Sequence, residues 1–150
     1  MIHYRNDRMR SLISSLLESR DRLASLARMS LEEFMEDPHR AGSARYHWIV
    51  TAEAVVDIAH HLIAQNRWRT PETYSEAVQI LEGHQIVSKE LTQRLQGWIR
   101  LRNRPVHRYW ETDDRAVFEA LPEALRDIKD FIRAIGASTG LSPSHPQQGP

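Results

Sequence analysis

An all-α fold is what this sequence predicts, on three observations. Apolar residues recur at three-, four- and seven-residue spacing through most of the chain, the period of a buried helix face. No stretch shows the apolar–polar alternation of a half-buried strand. Ser, Thr or Asp ahead of Pro or Glu marks the start of one periodic stretch after another. Together these predict one up-and-down bundle of four long helices plus one or two short ones, over residues 1–136. The chain has 150 residues, 41% of them hydrophobic, so it can bury a core without cross-links; it has no cysteine to make any.

The first helix is expected over residues 1–29, where Met9, Leu12, Ile13, Leu16, Leu23 and Leu26 form one stripe. Ser30-Leu31-Glu32-Glu33 reads as a capping box opening a short helix through Glu36. Asp37-Pro38 is an N-cap followed by a first-turn proline, and the helix it starts should reach about Asn66 with Ala41, Ala44, Trp48, Ala52, Val55, Ala59, Leu62 and Ile63 inward. Trp68-Arg69 falls in a connector, and Thr70-Pro71 repeats the start signal for a helix stopped by Gly83. Ser88 caps the helix after that. The last ladder, Val117, Leu121, Leu125, Ile128, Ile132 and Ile135, follows Thr112 and Asp113 as cap candidates. Pro122 lies inside it and predicts a kink or break. Beyond Gly136 the composition turns to Ser, Pro, Gly, Gln and Thr, so residues 137–150 are expected to form a disordered tail.

Composition excludes several functions. The arginines of the first thirty residues leave no apolar run for a signal peptide, and no stretch approaches the ~18 apolar residues of a membrane span. A cytoplasmic location and no membrane partner are therefore expected. His60-His61 points two imidazoles about 100° apart on a helix, which disfavours a shared metal ion. Glu36-x-x-His39 has di-iron spacing but occurs once and is interrupted by Pro38. No metal and no cofactor are expected.

The formal net charge is zero, but its distribution is not even. Eighteen of the twenty basic residues are arginine, whose planar fork pairs bidentately with phosphate. Between Leu91 and Trp110 stand five of them (Arg94, Arg100, Arg102, Arg104, Arg108), with one histidine and no acid; the following twenty residues hold seven acids against three bases. Such a stripe can bind a polyanion while the protein as a whole stays neutral.

Within the stripe, Arg102-Asn103-Arg104-Pro105-Val106-His107-Arg108-Tyr109 contains what metal-free RNA cleavage needs. Histidine titrates near neutrality and can take the proton of a 2′-hydroxyl; arginine can hold the charge that builds on phosphorus. Asn103 can donate to the phosphate or orient His107, and Arg100, Arg104 and Arg108 can contact RNA. Arg102 and His107 lie roughly 140° apart on an ideal helix, so a bend at Pro105, or a matching pair from a second protomer, must bring them together.

These residues resemble a known family. Arg102-x4-His107-x-Tyr109 looks like the R-x4-H-x-Y signature of the HepT-like toxins of the HEPN superfamily. The stretch from Ser30 to Glu36, the helix with Thr51-Ala52-Glu53-Ala54, Thr70-Pro71 and the closing ladder are similar as well, over about residues 5–135. Pro105 stands where that family more often carries an aliphatic residue. The resemblance implies a HEPN-type bundle and a homodimeric ribonuclease with RNA as substrate and Arg102 and His107 as the catalytic pair. It also implies an MntA-like minimal nucleotidyltransferase antitoxin that silences the toxin by transferring AMP to Tyr109.

Two other functions compete with this one: a non-catalytic HEPN subunit serving as partner or substrate-binding module of a nucleotidyltransferase, and a helical interaction domain without nucleic acid. In the plainest reading of the stripe, its arginines are a solvated, salt-bridged helix face and Trp110 is a core aromatic. Glu53 is open between a buried acid that positions Arg102 or Asn103 and an exposed one.

Overall fold

The computed structural model describes residues 1–103 and 113–142, and the side chains of 101–103 are outside the description. Within these bounds there are six α-helices and no strand: α1 (Asn6–Ala27), α2 (Leu31–Glu36), α3 (Pro38–Gln65), α4 (Tyr74–Gly83), α5 (Lys89–Asn103) and α6 (Asp114–Thr139). Four are long and two short, as the periodicity requires.

The starts follow the caps. Ser30 Oγ accepts from the Glu33 amide at 3.1 Å, Asp37 Oδ1 from His39 at 2.9 Å, Ser88 Oγ from Leu91 at 3.1 Å and Asp113 Oδ1 from Ala116 at 3.1 Å. At α4 the expected Thr70-Pro71 start is displaced. Thr73 Oγ1 caps the Glu76 amide at 3.1 Å, and the Glu76 carboxylate turns back to accept from the Glu72 amide and from Arg69. Thr73-x-x-Glu76 is itself a capping pair, and it satisfies more first-turn donors than Thr70 can. The first helix begins five residues later than expected, because residues 2–5 run extended over the bundle. His3 and Asn66 exchange two hydrogen bonds, at 2.9 and 2.8 Å, and Tyr4 Oη donates to the Thr139 carbonyl at 3.0 Å.

Two ends are closed by Schellman motifs. At α3 the amides of Arg67 and Trp68 bond the carbonyls of Ala64 and Ile63 at 3.3 and 3.1 Å; at α4 those of Gln85 and Ile86 bond Glu82 and Leu81, both at 2.9 Å. The left-handed position of each motif falls on Arg67 (φ 56°) and Gln85 (φ 61°) rather than on glycine, at a cost of about 1–2 kcal/mol per residue. Gly83, expected as the stop, is the last residue of α4.

Pro122 does not break α6. Its ring is exposed, while Leu121, Ala124, Ile128 and Phe131 on either side are buried. Each large apolar side chain there contributes about 1.5–3 kcal/mol, which together outweighs the ~3 kcal/mol of an interior proline. Nor does α6 end at Gly136. It runs to Thr139, Gly140 turns at φ 74°, and the chain doubles back so tightly that a Cβ on Gly136 would stand 3.1 Å from the Leu141 carbonyl. Leu141 is buried, so the packed unit extends past the expected boundary at 136; residues 143–150 of the expected tail lie outside the described residues.

Cross-helix bonds set the directions. Arg5 with His61 (3.0 Å) and Ser19 with His47 (3.0 Å) make α1 and α3 antiparallel; Arg45 with Asp114 (2.7 Å) places the starts of α3 and α6 together. Arg94 with Asp130 (3.0 Å) and Trp98 with Asp127 (3.3 Å) run α5 against α6. Met9, Leu16, Leu23, Ile58, Leu62, Leu121 and Phe131 fill the centre. The end of α5 and the start of α6 therefore meet beside the start of α3, at one end of the bundle.

Candidate active site

Helix α5 presents two faces. Leu91, Leu95, Trp98 and Ile99 are buried, whereas Gln93, Gly97 and Arg100 face solvent. The basic stripe is thus divided by function. Arg94 is committed to α6: its Nε donates to Asp127 Oδ1 at 2.7 Å and a terminal nitrogen to Asp130 at 3.0 Å. Arg100 is exposed near the helix end, where it can meet a polyanion. The backbone of Arg102 and Asn103 forms the last turn of α5. Their side chains, and Arg104, Pro105, His107, Arg108, Tyr109 and Trp110, lie outside the described residues. The predicted motif is therefore bracketed by Asn103 at the end of α5 and by Asp113, the cap of α6.

Between α3, α5 and α6 is a cavity of about 330 Å³. Trp48, Trp98 and Gly97 line it together with Arg94, Asp113 and Asp127. The two indoles stack, with ring centres 4.5 Å apart and planes at 26°. Trp98 Nε1 donates to Asp127 Oδ2 at 3.3 Å, so one carboxylate holds both Trp98 and Arg94. Burial pushes the Asp127 carboxyl above its usual range, against the pull of the Arg94 charge and of the two hydrogen bonds; Glu123 adds to the upward push. On the α6 side, Asp113 and Glu123 add negative charge to the lining, in contrast to the exposed Arg100 on α5.

Sequence reasoning missed the Asp127 network and the indole stack. The available signal is the position of Asp127, three residues after buried Ala124 and four before buried Phe131, an acid in an apolar register. Glu53 lies on the exposed side of α3. His61 uses Nε2 to accept the Arg5 amide at 3.0 Å, and no group of three or more His, Cys, Asp or Glu among the described residues is placed to hold a metal ion. No described helix is long and apolar enough to cross a membrane.

Comparison with known proteins gives concordant results. Residues 16–135 match the family model described as ribonuclease HepT-like. The chain is 29% identical over 85 residues to the mRNA nuclease HepT of Shewanella oneidensis, a match covering 57% of this chain and 64% of that protein, just under two thirds of its length. It is 28% identical over 118 residues to the tRNA nuclease HepT of Aphanizomenon flos-aquae, covering 78% and 80% of the two chains. Its fold is similar, at a TM-score of 0.79 and 24% identity, to that of the tri-AMPylated Shewanella oneidensis HEPN toxin in complex with its MNT antitoxin, over 89% of this chain and 99% of that one.

Proposed function

The chain belongs to the HepT-like ribonuclease family, and from that premise we propose that it is the ribonuclease toxin of a toxin–antitoxin pair, cutting RNA without a metal ion. The observation that carries this reading is the place of the motif. Arg102-x4-His107-x-Tyr109 lies wholly inside the family match, in the stretch of sequence that joins α5 to α6, and Arg100 just ahead of it is exposed.

In the proposed chemistry His107 takes the proton of a 2′-hydroxyl, whose oxygen attacks the adjacent phosphorus. The bond to the 5′-oxygen breaks, that oxygen takes a proton from water while His107 returns its own to solvent, and a 2′,3′-cyclic phosphate remains. Arg102 balances the extra charge on the phosphoryl oxygens during the transfer. Asn103 orients His107 or the phosphate, while Arg100, Arg104 and Arg108 hold the flanking strand. A homodimer sets two such motifs at one cleft. The partner is an MntA-like nucleotidyltransferase that adds AMP to Tyr109; anionic AMP beside His107 competes with RNA for the same arginines.

The test is cleavage of RNA by purified protein in EDTA. Wild type should cut and leave a cyclic phosphate, and Arg102→Ala and His107→Ala should each lose on the order of 10²-fold in rate while melting as wild type does. Full activity of either variant removes that residue from the chemistry. Absence of cleavage by wild type favours the non-catalytic HEPN subunit.

A further inference from the structure

The twin Schellman ends of α3 and α4 meet at the surface, at the opposite end of α3 from Arg45 and the start of α6. Trp68, just past α3, and His84, the cap of α4, lie ring on ring, 3.7 Å between centres and 8° between planes. Arg67 and Gln85, the described non-glycine residues with positive φ, flank these two rings. The residues that follow them, Trp68 and Ile86, pack on the core, which holds both turns and fixes the two rings in place. Beside the stack is a concave surface of about 540 Å³, lined by His60, Ile63, Arg67, Trp68, Thr70 and Pro71.

Trp68 is half-buried and anchors the stack to the core, whereas His84 is exposed and offers the stack an open end. A flat group can extend it by one rung. Arg67 is exposed and forms no ion pair among the described residues, while its neighbour Arg69 is bound to Glu76. Glu72 and Glu82 lie nearby and weaken the local positive field, but the Schellman bonds satisfy the terminal carbonyls that would otherwise repel an anion. We propose that this junction is a second contact for single-stranded RNA, in which a base stacks on His84 over Trp68 and Arg67 meets the adjoining phosphate. Stacking on aromatic rings accepts every base and, with a neighbouring arginine, is the usual chemistry of single-strand recognition. An apolar protein partner fits less well, because among the large exposed hydrophobic side chains only Tyr74 belongs to this neighbourhood.

The proposal rests on the ribonuclease reading and extends it to substrate selection. Arg45, beside the start of α6, and Ile63, at this surface, are eighteen residues apart on α3, about 27 Å along the helix. A strand engaged at both places must cover that distance, so the contact selects long, unpaired RNA.

The test is a double variant, Arg67→Gly with His84→Ala. Glycine suits the left-handed position, so the fold is expected to hold, and a thermal melt by circular dichroism checks it. A long single-stranded oligoribonucleotide carrying 2′-O-methyl groups binds without being cut, and fluorescence anisotropy gives its Kd. The variant should weaken binding about fivefold or more, the loss of one base stack. A photo-crosslinking uridine in the same strand should label the peptide containing Trp68 or His84. Unchanged binding by a folded variant overturns the proposal; so does loss of nucleotidyltransferase binding with RNA binding intact, which would assign the surface to the protein partner. Cleavage of an unmodified strand by wild type reports on the ribonuclease reading separately. Variant-sensitive binding without cleavage sinks that reading and keeps this one, and cleavage with variant-insensitive binding does the reverse.

Discussion

Asp127 brings a carboxylate into the junction of α5 and α6, with only 3% of its surface exposed, and two donors from α5 meet it there. Removing it would strand the buried Trp98 indole N–H, while Arg94 would keep its bond to Asp130. Asp127→Ala should therefore cost about 2 kcal/mol, seen as a lower urea midpoint with an unchanged slope. Asp127→Asn keeps one acceptor oxygen and no longer buries a charge, so it should cost less; an equal or larger loss would show that the charge matters more than the acceptor. Because Trp98, on the helix that leads into the proposed motif, lines the cavity between α3, α5 and α6 together with Trp48, both variants should also perturb cleavage more than a distant change of equal cost. Tyr109→Phe tests the regulatory half of the proposal. It removes the acceptor oxygen and keeps the ring, so after incubation with the nucleotidyltransferase and ATP, intact mass should rise by one or more AMP units in wild type and stay constant in the variant. Equal labelling of both would place the modification on another residue.

At the scale of elements, one of the bonds that hold the extended arm of residues 2–5 depends on pH. The Arg5 amide donates to His61 Nε2, which must be unprotonated to accept. Burial, followed by the charges of Arg8 and Arg5, holds this imidazole below its ordinary 6.5. His47, on the same helix, is lowered by burial and by Arg22, with Glu18 opposing. A histidine whose folded pKa lies below its unfolded value contributes stability that is present above 6.5. That contribution is lost as pH falls from 6.5 toward the folded value. Hydrogen exchange of the Arg5 amide should therefore accelerate below pH 6.5, beyond the intrinsic pH trend, and the melting temperature should drop with it. His61→Gln, which retains an acceptor that does not titrate, should flatten both responses. An unchanged profile in that variant would move the pH dependence to His47 or elsewhere.

For the whole molecule, the zero net charge conceals a separation that matters for assembly. The α5 side carries arginine and the α6 side carries acid, and within one chain Arg94 already joins them through Asp127 and Asp130. The proposed chemistry needs Arg102 and His107 at one cleft, and a two-fold pairing of the α5–α6 ends would supply two copies of both. Light scattering at micromolar concentration should give a dimer. Binding to long RNA should weaken steeply as salt rises, because the contacts proposed are arginine to phosphate. A strict monomer with full activity would refute the two-fold site.

The all-α class, the four long helices and most of the helix caps were determined by sequence alone. Each depends on residues within one or two turns of each other, such as Ser30 with Glu33 and Asp37 with Pro38. Tertiary structure decided what local signals cannot, since it weighs them against burial. Pro122 passes through α6 because its neighbours bury apolar surface, and Gly136 serves a close approach of the chain end rather than a stop. Arg67 and Gln85 take left-handed positions because the core contacts of Trp68 and Ile86 outweigh the strain. Likewise Arg94 reads as one more arginine of a basic stripe until α6 places Asp127 and Asp130 against it. A local pattern specifies which side chains can do the chemistry; only the packing of distant segments specifies which of them are free to do it.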